Sequence, residues 1–102
     1  MRIMIVDDSA FMRSMIRNVV VAKGGIVVGE ATDGLEVIST YAECSPDLVT
    51  MDITMRNMGG LDALRELITV YPDARIIMVS AIGQPSDMIE AIRSGAVGYV
   101  WY

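Results

Sequence analysis

The sequence predicts a three-layer α/β fold: a five-stranded parallel sheet in (βα)₄β order. Three observations lead there. Short apolar runs alternate with longer segments whose apolar residues recur at helical spacing. Apolar strands joined by helical crossovers make a parallel sheet covered on both faces. Asp7-Asp8, Asp52 and Ser80 each stand just after an apolar run, where open sheets of this kind hold their ligands.

The elements follow in order. Residues 2–6 (RIMIV) form the first strand, ending at two acids. Residues 9–23 carry an apolar stripe of Phe11, Met12, Met15, Ile16, Val19 and Val20, and Gly24-Gly25 end that helix. Residues 26–30 (IVVGE) are the second strand. Asp33, with Glu36 three residues on, has the pattern of a capping box opening a helix to about Glu43. Ser45-Pro46 breaks the pattern before a third strand at 47–51 (DLVTM). Residues 60–71 put Leu61, Leu64, Ile68 and Tyr71 on one helical face, closed by Pro72-Asp73. The fourth strand is 75–79 (RIIMV). Pro85 suits the first turn of a helix running to about Ser94. Gly95 ends it, and 97–102 (VGYVWY) is the fifth strand.

Composition narrows the function. The 102 residues make one domain, and 53% of them are hydrophobic, enough for a true core. Net charge is -5, so a nucleic-acid footprint is absent. No apolar run approaches the roughly 18 residues of a membrane span. The single cysteine, Cys44, cannot form an internal disulfide, and the expected compartment is the cytoplasm. With no histidine, Ser-His and Cys-His catalysis and histidine metal sites are excluded. The nine methionines read as core filler.

Taken singly, the candidate site residues are unremarked. Asp7-Asp8 could be a helix N-cap pair, Asp52 a turn residue, Ser80 a loop hydroxyl. Together at one rim they imply more. Three converging carboxylates repel unless a cation compensates. Mg²⁺ prefers oxygen ligands and is held by one or two carboxylates plus a phosphate. Such a site suits phosphoryl transfer, with an aspartate as nucleophile. Ser80 could then donate to the new phosphoryl oxygens.

The stretches IMIVDDSAFMR at 3–13, GEATDG at 29–34, PDLVTMDITM at 46–55, GGLDAL at 59–64, IIMVSAIGQ at 76–84 and GAVGYV at 95–100 resemble the CheY-like response regulator receiver domains. The resemblance covers essentially the whole chain. It implies a flavodoxin-like strand order of 2-1-3-4-5. It implies Asp52 as phosphoacceptor and a Mg²⁺ ion, or Mn²⁺, at Asp7, Asp8, Asp52 and the Thr54 backbone carbonyl. It implies Ser80 as switch hydroxyl, Tyr99 as the aromatic that turns inward, and Ile82 as a position that tunes dephosphorylation. The function implied is a chemotaxis or two-component switch that catalyses only its own phosphorylation and dephosphorylation. Its partners would be a CheA-like histidine kinase and a flagellar motor switch or other output protein, with neither nucleic acid nor membrane insertion.

The sequence departs from the family at several points. Receivers carry a Lys-Pro pair after strand five, and the lysine position falls on Tyr102. Arg56 replaces the proline expected after Met55, and Gly59 stands where Asn or Asp is usual. The fifth helix is missing, so residues 1–102 read as a C-terminally truncated receiver. An alternative reading is a signalling-impaired or engineered receiver-like module that self-associates. Tyr99 and Trp101 alternate with Val100 and Tyr102, so both faces of strand five carry large apolar groups. A homo-oligomer through the face or edge that helix five would cover is therefore expected. A haloacid-dehalogenase-type phosphatase would need an acid at Thr54, and a dinucleotide site a glycine-rich turn at 6–9.

Overall fold

The chain folds around the alternation of its strand residues. The computed structural model describes residues 1–81 and 84–101, so the expectations placed on Ile82 and Tyr102 lie outside the described residues. Strands β1 (Arg2–Val6), β2 (Ile26–Ala31), β3 (Leu48–Asp52), β4 (Ile76–Ser80) and β5 (Gly98–Trp101) pair in parallel in the order β2-β1-β3-β4-β5. This is the predicted order. Helices α1 (Ala10–Ala22), α2 (Val37–Cys44), α3 (Gly60–Val70) and α4 (Pro85–Arg93) connect them. Parallel neighbours need such crossovers.

The two faces of the sheet are packed unequally. Met4, Val6, Val49, Met51, Ile76 and Met78 point to one face and join Val37 of α2, Leu64 and Leu67 of α3 and Ala91 of α4 in one buried cluster. The methionines at 4, 51 and 78 are core, as expected, but Met1 and Met15 are exposed, so not all nine are core filler. On α3 the buried set is Gly60, Ala63, Leu64 and Leu67, with Leu61, Ile68 and Tyr71 half-buried against it. The inward direction is thus rotated by one residue from the face the sequence suggested.

Among the described residues α1 alone covers the other face, and none of its residues is fully buried. Of its apolar stripe, Phe11 is 72% exposed and Val19 62%. The period was right, and among the described residues the flank of α1 away from the sheet lies exposed. Between α1 and the sheet runs an apolar trough of about 330 Å³, lined by Met12, Ile16, Val20, Thr50, Val79 and Val100. Trp101 stands with Tyr99 on the opposite face, where Tyr99 packs against the main core.

Local signals mostly hold. Gly24 has φ +83° and Gly95 φ +111°, the left-handed geometry that stops α1 and α4. Pro85 opens α4. The expected capping box at Asp33 and Glu36 is only half formed. The Asp33 carboxylate accepts from the Leu35 and Glu36 N–H groups, at 2.8 and 3.3 Å, across a single 3₁₀ turn, Gly34–Glu36. Glu36 turns instead to the N–H and hydroxyl of Thr32, and α2 starts only at Val37. Two donors on Thr32, its N–H and its hydroxyl, take the Glu36 carboxylate in place of the reciprocal bond.

Candidate functional site

Asp7 follows β1 directly, and Asp52 and Ser80 are the last residues of β3 and β4. All therefore lie at the carboxyl ends of neighbouring central strands. The sequence placed Asp52 and Ser80 one residue past their strands; ladder pairing of Asp52 with Val79 and Ser80 with Trp101 extends each by one.

Carboxylate oxygens of Asp7, Asp8 and Asp52 all lie within 4.8 Å of one another. Ser9, not the acidic pair, caps α1: its hydroxyl accepts the Met12 N–H at 3.2 Å. That leaves both acids for the rim. Asp7 is 1% exposed, and its Oδ1 accepts the Ser9 N–H at 2.8 Å. Its Oδ2 is buried with no hydrogen-bond partner among the described residues. Asp52 Oδ1 accepts the Thr54 N–H at 3.3 Å, which sets Thr54 at the mouth of the site.

Burial and crowding shift the acids. Desolvation, then the Asp7 charge, pushes the Asp52 carboxyl up to about 6, against the opposing N–H groups of Thr54 and Ile53. Burial also raises Asp7, opposed by the Ser9 N–H. Crowded carboxylates with one orphaned buried oxygen fit a hard divalent cation, which would satisfy that oxygen and separate the charges.

The loop after β3 is built tightly. A Cβ on Gly60 would meet the Asp52 carbonyl oxygen at 2.0 Å, and one on Gly34 would meet the Met58 carbonyl at 2.5 Å. Asn57 sits at φ +65°, Met58 N–H donates to the Arg56 carbonyl at 2.8 Å across it, and its side chain donates to Asp33 at 3.0 Å.

Ser80 is 2% exposed at the sheet rim. Tyr99 is half-buried, and its hydroxyl is buried without a hydrogen-bond partner among the described residues. Its ring centroid lies 4.8 Å from that of Trp101. Sequence reasoning missed Arg13, whose guanidinium donates to the Asp7 carbonyl at 2.7 Å and pairs with Glu30 at 3.3 Å. Its i+4 relation to the Ser9 cap was the available signal. It also passed over Gly60, recognisable only as one of several glycines.

Known proteins share this arrangement. The response regulator receiver domain family matches residues 3–101. The chain is 48% identical over 99 residues to the chemotaxis protein CheY of Thermotoga maritima and 52% identical to that of Bacillus subtilis. Each alignment covers 97% of this chain and 82% of the relative. Among solved structures it is similar to the response regulator domain of Thermotoga maritima CheB, with TM-score 0.92, 39% identity and coverage of 99% and 77% of the two chains. It is similar also to the CheX–CheY–BeF₃–Mg²⁺ complex from Borrelia burgdorferi, with TM-score 0.95, 30% identity and the same coverage. The fold, the acidic rim and these likenesses agree: the chain belongs to the response regulator receiver domain family and is CheY-like.

Proposed function

We propose that this receiver is a phosphoacceptor switch acting on Asp52. The carrying observation is the meeting of the Asp7, Asp8 and Asp52 carboxylates, with Asp7 Oδ2 buried and unpaired. The Asp52 carboxylate attacks the phosphorus of the donor. A P–O bond forms to Asp52, and the bond from phosphorus to the leaving group breaks, its electron pair going with the leaving group. Bound Mg²⁺, or Mn²⁺, neutralises charge on the transferring oxygens. Asp7, Asp8 and Asp52 hold that ion, with the Thr54 carbonyl as a further ligand. Ser80 donates to a phosphoryl oxygen, and Tyr99 changes its packing in response. The Borrelia relative, solved with BeF₃ and Mg²⁺, supports this assignment.

The donor is a CheA-like histidine kinase, and the reader a flagellar motor switch or other output protein. The compartment is the cytoplasm, where such a kinase and reader would meet it. The test is mass spectrometry after incubation with acetyl phosphate and Mg²⁺. Wild type should gain one phosphoryl group and Asp52→Asn none. Equal labelling of both refutes the assignment.

The apolar trough favours a second reading beside the first, self-association. Phe11, Met15 and Val19 stand exposed at i, i+4, i+8 along α1, and Met15 and Val19 also line the trough. An exposed apolar surface of this kind could be covered by the same surface of a second copy across a two-fold axis.

A further inference from the structure

The acidic rim has a cation that its ground-state geometry does not fully use. Of the eight Lys and Arg residues in the chain, two reach the rim among the described residues. Arg13 is committed, with its guanidinium bonded to the Asp7 carbonyl and to Glu30 and its side chain only 18% exposed. Arg56 is not. Its Nε lies 4.0 Å from Asp8 Oδ2, and its side chain is 81% exposed. That distance is an ion pair at its outer limit, held in water and therefore weak.

The backbone beneath Arg56 is fixed. Gly60 N–H donates to the Ile53 carbonyl at 2.8 Å, Met58 N–H closes a turn on the Arg56 carbonyl, and Asn57 ties the loop to Asp33. The side chain can therefore swing while its anchor stays. Asp8 lies within 4.8 Å of Asp52, oxygen to oxygen. A phosphoryl group on Asp52 would thus form beside Asp8, the carboxylate that Arg56 already approaches. A guanidinium fork suits phosphate oxygens better than a distant single carboxylate.

We infer that Arg56 is the phosphoryl-binding cation of this site, its guanidinium leaving Asp8 to bond the phosphoryl oxygens carried by Asp52. This rests on the phosphoacceptor reading. As acetyl phosphate reacts, Asp52 forms the new P–O bond and acetate departs with the electrons of the old one. Arg56 donates N–H bonds to the peripheral phosphoryl oxygens, which stay on phosphorus throughout, and no proton moves to or from it. The residue thus contacts the reacting group without entering the bond changes.

The test uses wild type, Arg56→Gln and Arg56→Lys at saturating Mg²⁺. Labelling by acetyl phosphate is followed by mass, beryllofluoride affinity by titration, and Mg²⁺ affinity of the unlabelled proteins by calorimetry. Arg56→Gln should lose labelling rate and beryllofluoride affinity by roughly tenfold to a hundredfold, the worth of a charged hydrogen bond. Arg56→Lys should recover part of both. Mg²⁺ affinity should hold steady or tighten slightly. Wild-type labelling rate and beryllofluoride affinity in Arg56→Gln would overturn the inference. So would faster labelling that tracks tighter Mg²⁺ binding, because Arg56 would then be only a counter-ion of Asp8. An unlabelled wild type would fell the phosphoacceptor reading itself, a result distinct from either.

Discussion

Gly60, the first residue of α3, rests directly on the Asp52 carbonyl: a Cβ there would lie 2.0 Å from that oxygen and 2.8 Å from the Ile53 Cα. Both obstacles are backbone and cannot turn aside. The helix start thus locks the end of β3 and with it the direction of the Asp52 side chain. Gly60→Ala should cost about 1–3 kcal/mol or more, by overpacking. For a domain of this size each kcal/mol lowers Tm by roughly 4–8 °C. Thermal unfolding checks this. Gly59→Ala is the control, because a Cβ there meets nothing nearer than 3.8 Å.

The raised acids predict an unusual pH response without metal. Asp52 has its folded pKa pushed up to about 6, above the ordinary value of 3.8. Between those values the folded state binds more protons than the unfolded one. Stability then falls as pH rises through that window, opposite to a salt-bridged carboxylate. Asp7, raised by burial, adds in the same direction. Denaturation of metal-free protein at pH 4.5 and 7.5 should show the loss, and Asp52→Asn should shrink it. Stability that rises across this window would contradict the site electrostatics.

Mg²⁺ should reverse that trend. The ion needs ionised carboxylates, so it competes with protons at Asp7 and Asp52. Millimolar Mg²⁺ should raise Tm at pH 7.5 and do little at pH 4.5. Calorimetry should give weaker binding for Asp7→Ala and Asp52→Ala. Unchanged affinity in both variants would remove the ion from this rim.

How much of this was legible in sequence depended on whether the signal was local. Periodicity and turn residues gave every strand and helix to within a few residues, because Gly24, Gly95 and Pro85 punctuate the chain where the backbone demands it. The rim acids were legible because parallel topology forces strand ends together. The contacts of Arg13 and Arg56 were not, since both depend on how helix and loop bring distant backbone near Asp7 and Asp8. Nor could periodicity tell that the stripe on α1 would lie half in solvent. It reports which residues share a face, but not how much of that face the sheet covers.

That open flank carries the self-association reading. At micromolar concentration the chain should sediment as a dimer or larger. Trp101 lies with Tyr99 on the other face of the sheet, so the trough is probed from α1. Met15→Lys, which charges the exposed wall of the trough, should return it to monomer without unfolding it. A monomer before the change and after it would reject this reading.

The most direct test of the central claim locates the phosphoryl group on the chain. Acyl phosphates are reduced by borohydride to the alcohol, so a phosphoaspartate becomes homoserine. Wild type should be treated with acetyl phosphate and Mg²⁺, reduced, digested and sequenced by mass spectrometry. The account predicts homoserine at position 52 and at no other acid, with its yield abolished when Mg²⁺ is chelated. Homoserine at Asp7 or Asp8 instead, or an unmodified peptide around Asp52, would contradict it.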